Sequence, residues 1–66
     1  MKKEFKVGDL CQLRVAPQGY KYGELVLVLE VENPRYCKYP IYAMHQRTGK
    51  KASWSKKALE KINASI

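Results

Sequence analysis

Cys11, Cys37 and His45 are the residues of this chain that could carry nucleophilic or metal chemistry. A cysteine nucleophile needs a base beside it, a group to orient that base, and a cleft. The spacing of the two cysteines and the single histidine demonstrates none of these, and the expectation is that the chain is not an enzyme. A structural zinc site asks for four ligands, usually as closely spaced Cys or His pairs. Three scattered candidates do not supply them, so no metal and no cofactor are expected. The glycines at 19 and 23 lack the spacing and the Gly-Lys-Ser/Thr ending of a phosphate loop. His45 reads as surface or hairpin packing.

The basic residues are the stronger signal. In 66 residues there are 13 Lys and Arg against 6 Asp and Glu, a net charge of +7. Residues 1–6 contribute +2, residues 7–34 contribute −2, and residues 35–66 contribute +7. Arg35, Lys38, Arg47, Lys50, Lys51, Lys56 and Lys57 are therefore the candidates for contacting phosphates, with DNA or RNA as the partner. Tyr36, Tyr39 and Trp54 lie among them and are the candidates for stacking on bases or seating a partner. Trp54 also suits packing over a core. Lys56 and Lys57 follow Ser55, a candidate helix N-cap, where positive charge is unfavourable unless an anion binds there. Solvated lysines on a turn too short to have much dipole are the alternative. The tyrosines suit a protein-binding groove equally well, which keeps an acidic protein partner open.

Short strands must position these groups. Val7-Gly8-Asp9 reads as a turn, and residues 10–15 alternate with Cys11, Leu13 and Val15 on one face. Residues 16–23 form a loop. Residues 24–32 form the most apolar strand, ended by Asn33-Pro34. A second loop spans 33–40, a third strand 41–46, a tight turn 47–50 around Gly49, and a fourth strand 51–54. Lys56 to Ile62 reads as a short helix or 3₁₀ turn with Leu59 and Ile62 inward. The expected core is Val7, Leu13, Val15, Leu25, Leu27, Leu29, Val31, Ile41, Ala43, Leu59 and Ile62.

The expected fold is all-β, one domain over 1–66, in which 1–5 and 63–66 are candidate disordered tails. A chain this short buries only about 60% of the surface its unfolded form exposes, and a small bent barrel of four to five strands makes the most of that. The longest aliphatic run, Leu25 to Leu29, is far shorter than the roughly 20 residues that span a bilayer, and no membrane role is expected. The basic start runs into Val7-Gly8-Asp9 without the apolar stretch of a secretory signal. A cytoplasmic protein with two free thiols is the expectation.

Lys6-Val7-Gly8-Asp9-Leu10, Gly23-Glu24-Leu25-Val26-Leu27-Val28, Gly49 and Trp54-Ser55-Lys56-Lys57-Ala58-Leu59 together resemble SH3-like barrels of the KOW and Tudor-type class. They also resemble small SH3-like proteins of tailed phages. The resemblance runs from about Lys6 to Ile62 and implies a non-enzymatic binding module. Low-specificity nucleic-acid binding leads. The alternative is a docking module, such as a phage factor that binds an acidic host or virion protein. A third possibility, an aromatic cage for a methylated side chain, would need three or four rings around one pocket. Exposed sheet edges leave self-association open. The 33–40 loop is long for a KOW-type hairpin, and the 16–23 loop lacks the acidic cluster of SH3 domains that bind proline-rich peptides.

Overall fold

Alternation of side chains, interrupted by glycine and proline turns, builds five strands. The computed structural model describes residues 5–62. Strand β1 is Leu10–Leu13, β2 Leu25–Val31, β3 Ile41–His45, β4 Lys51–Trp54 and β5 Leu59–Lys61. A 3₁₀ turn at Lys56–Ala58 leads from β4 into β5. Neighbouring strands are antiparallel in the order β4-β3-β2-β1-β5, giving one open sheet and an all-β fold. No helix among the described residues is long and apolar enough to cross a membrane.

Connectivity forces this sheet to curl. β4 and β5 are its opposite edges, yet only residues 55–58 separate them. In a flat sheet the outer two of five strands lie about 19 Å apart, at ~4.8 Å per neighbour. A 3₁₀ turn advances only about 2 Å per residue, so the edges must swing towards each other. The bend has a local device in β2. Val28 faces Ala43 and Glu30 faces Tyr42, which leaves Leu29 as an extra residue without a partner. Such a bulge bends and twists its strand.

Residues opposite one another share a face, and the register shows which face is inside. One inner row is Cys11–Val26–His45, another Val28–Ala43–Ala52, a third Ile41–Trp54, and a fourth Leu13–Leu59. Phe5 and Ala58 complete the buried cluster, and Val15 and Tyr20 pack against it. The outward row is Leu10–Leu27–Met44–Lys51.

This register corrects the expected core. Val26 and Val28 are buried at 0% and 1% exposure, while Leu25 and Val31 are exposed and Leu27 and Leu29 half-buried. A strand apolar on both sides offers two faces, and its own sequence does not say which turns inward. Here Cys11, Ala43 and His45 lie across from the valines and decide it. Val7 is exposed and Ile62 only half-buried, whereas Phe5, Trp54 and His45 are inside. The tails expected at 1–5 and 63–66 lie outside the described residues except for Phe5, which belongs to the core.

The end of the chain is also corrected. The short helix or 3₁₀ turn expected from Lys56 to Ile62 is a 3₁₀ turn over Lys56–Ala58 only, after which Leu59, Glu60 and Lys61 pair with Leu13, Gln12 and Cys11. Pairing with the otherwise open edge of β1 satisfies more backbone groups than another helical turn would. Ser55 stands at the cap position with extended backbone, but its side chain makes no capping bond.

Candidate nucleic-acid interface

The hairpin of β3 and β4 has two ends, and the polar groups at its turn hold one another. Gln46 donates its N–H to the Leu25 carbonyl at 2.9 Å, which sets the start of β2 beside the end of β3. Glu24, one residue earlier, therefore meets His45. The His45 ring, 1% exposed, has Nε2 at 2.8 Å from Glu24 Oε1 and Nδ1 at 2.8 Å from Thr48 Oγ1. A neutral ring satisfies both contacts when Nε2–H donates to the carboxylate and the Thr48 hydroxyl donates to Nδ1. Arg47 Nε donates to Glu24 Oε2 at 2.6 Å, and the Lys21 N–H donates to Oε1 at 3.0 Å. Arg47 is the main reason the Glu24 carboxyl is drawn down to about 2. His45 and the Lys21 N–H add to this, and partial burial opposes it.

A hydroxyl, an imidazole and a carboxylate in line form the relay used in nucleophilic catalysis. Here the imidazole is buried with both nitrogens engaged within the protein, while Thr48 lies on the exposed turn. The network instead ties the β1–β2 loop to the hairpin turn. The Tyr20 ring adds to the tie, edge-on to His45 at 4.9 Å and to Trp54 at 5.0 Å. Ala43 and Ala52 lie opposite each other between those two rings, and their small side chains leave it room.

The seven candidate cations divide between the two ends. Met44 pairs with Lys51 and Ile41 with Trp54, so Arg47, Lys50 and Lys51 stand at the turn. Lys56 and Lys57 leave the sheet at the other end. The 33–40 loop enters β3 at that same end, closed by the Glu32 N–H on the Pro40 carbonyl at 2.7 Å. Arg35 and Lys38 ride on it. A four-residue strand, about 13 Å long, separates the two groups. All seven cations are exposed, but Arg47 is engaged by Glu24. Among the described residues, the other six, Arg35, Lys38, Lys50, Lys51, Lys56 and Lys57, have no carboxylate within 4 Å. Lys51 occupies the outer edge of the sheet, where lysine also discourages pairing with another strand.

Of the three candidate rings, two face water. Tyr36 is 85% exposed and Tyr39 51%. Trp54 is 7% exposed and leaves the candidate set, because the β3–β4 register turns it inward beside Ile41 and Tyr20. Lys56 and Lys57 sit on a turn of only three residues, too short to offer phosphate a helix end, and act as solvated cations.

The remaining candidates for chemistry are quiet. Cys11 is fully buried, and burial first, then Asp9, pushes its thiol up to about 11. Cys37 is half-exposed, and the two cysteines are not joined. Among the described residues no three His, Cys, Asp or Glu side chains converge as a metal site would require. Glu24 and Tyr20 are the residues that the sequence did not single out. Twenty-one positions separate Glu24 from His45, and only the β2–β3 ladder unites them. Comparison with protein-family models, curated proteins and solved structures finds no match for the chain.

Proposed function

We propose that the chain is an SH3-like barrel that binds nucleic acid without sequence specificity, through phosphate contacts from Arg35, Lys38, Lys56 and Lys57. The barrel reading is supported by the curled five-stranded sheet, the bulge in β2 and the short connection between the two edge strands. The binding reading rests on one observation. Among the described residues, four cations lie at one end of the β3–β4 hairpin with no carboxylate within 4 Å, while at the other end Arg47 is engaged by Glu24 and only Lys50 and Lys51 are left unpaired. Free cations on phosphates release condensed counterions, which drives association and makes it steeply salt-dependent.

Paired charge reversals test this with net charge controlled. K56E/K57E and K50E/K51E each lower the +7 charge by four. Binding to labelled oligonucleotides at about 50 mM salt should collapse in the first variant and weaken less in the second. No binding by the native chain at that salt, or equal losses in both variants, would reject the reading. A second reading, docking to an acidic protein, is favoured by the exposed rings of Tyr36 and Tyr39.

A further inference from the structure

The aromatic residues narrow the kind of nucleic acid. Resting on the reading above, we infer that the ligand is single-stranded and that Tyr36 and Tyr39 stack on its bases. The segment Arg35-Tyr36-Cys37-Lys38-Tyr39 places a cation before a ring twice over. A single strand likewise alternates phosphate with base. A duplex does not match this pattern, because it hides the faces of its bases and shows only their edges in the grooves. Rings on a protein gain by stacking only where base faces are free.

The two rings contrast with others in the chain. Tyr20 packs edge-on against two neighbours, Trp54 is buried, and Tyr42 is half-buried on the sheet. Tyr36 and Tyr39 do none of this, although their loop is well tied. Asn33 accepts the Arg35 N–H on its side-chain oxygen at 2.9 Å and the Tyr36 N–H on its carbonyl at 3.0 Å. The Cys37 thiol donates to the Tyr39 carbonyl at 3.3 Å, and Pro34 and Pro40 restrict the backbone near each end. A loop organised in advance loses less entropy when its side chains engage a ligand. Its exposed rings add nothing to the core and are held ready for contact.

Tyrosine and arginine are also enriched at protein interfaces, whereas lysine is depleted there, so Lys38 directly before Tyr39 suits a polyanion better than a protein surface. Tyr22 provides an internal comparison. It is 73% exposed beside Lys21, but in the loop held by the Glu24 network at the hairpin turn.

The test titrates the full chain with a labelled oligothymidylate of about ten nucleotides and with a duplex of equal length, at about 50 mM salt. The native chain should favour the single strand by about tenfold or more. Y36A/Y39A should lose about thirtyfold or more on the single strand and little on the duplex, taking the lower end of the stacking range for each ring. Y36F/Y39F should retain binding, because the ring face and not the hydroxyl makes the contact, and Y22A should match the native chain. K56E/K57E should weaken both ligands and flatten the single-strand salt dependence by about 0.7 in logarithmic slope per lost contact. Equal affinity for both ligands with Y36A/Y39A neutral overturns this inference and leaves the phosphate-binding reading intact. Absence of binding to either ligand overturns both. If polyglutamate binds as tightly as the single strand and also depends on Tyr36 and Tyr39, the rings serve a protein partner and the inference fails.

Discussion

The two ends of the β3–β4 hairpin carry the same kinds of side chain and use them differently. At the turn, Arg47, Glu24, His45 and Thr48 bond to one another, and Tyr20 packs on the result. At the far end, Arg35, Lys38, Lys56 and Lys57 have no carboxylate within 4 Å among the described residues, and Tyr36 and Tyr39 face water. The difference lies in what the sheet brings alongside. Glu24 reaches the turn because β2 begins there, and it engages the cation it finds. Glu32, at the mouth of the far loop, forms no ion pair with the cations there. Charge counted along a sequence therefore overstates the charge available to a ligand.

The comparison can be broken most directly by mutation. Replacing His45 with alanine removes a buried ring and takes one hydrogen-bond partner from each of Glu24 and Thr48. It should cost about 3 kcal/mol in urea denaturation. A domain this small has about 3–5 kcal/mol to lose, so much of the variant should be unfolded. Y36A/Y39A should change stability by less than about 0.5 kcal/mol. If both variants lose stability equally, the far loop is part of the architecture and the contrast is wrong.

Acid should separate the ends next. The Glu24 carboxyl is held at about 2 in the fold against an ordinary value of 4.5. The folded state thus takes up that proton later than the unfolded chain does. Its contribution is complete above about pH 4.5 and drains away as pH falls towards 2. Thermal melting followed across this window should show a falling midpoint, and E24Q should be less stable at neutral pH but show a shallower fall. An E24Q profile as steep as the native one would place the acid sensitivity elsewhere.

The smallest effect concerns labelling. Cys11 sits in the His45 row with its thiol raised to about 11, whereas Cys37 is half-exposed in the far loop. A thiol reagent at pH 8 should modify one cysteine per folded chain and two in urea. Two fast thiols in the folded protein would show that the core row opens readily.

Much of this fold is legible in local sequence. The run 25–31 between Gly23 and Asn33-Pro34, the turn around Gly49, and the strand 51–54 all read directly, because turn chemistry and alternation act over a few residues. Gly49 has φ of +78, a conformation that side chains resist. The face of β2 was not legible, since Leu25, Val26, Leu27, Val28 and Leu29 are apolar throughout. β5 was missed because Leu59 and Ile62 suit a helical turn as well as a strand. The candidate cations were legible as a group, but not their division, which depends on where each strand ends.

What the sequence determined alone is the first four strands with the turns between them, and the concentration of positive charge after Pro34. These follow from backbone preferences and composition, which need no distant partner. Tertiary structure decided that valines rather than leucines line the core of β2. It also buried His45 and Trp54, engaged Arg47 and left the other six candidate cations, with Tyr36 and Tyr39, in water. Those outcomes depend on contacts between residues far apart in the chain, such as Glu24 with Arg47, and strand register alone brings such residues together.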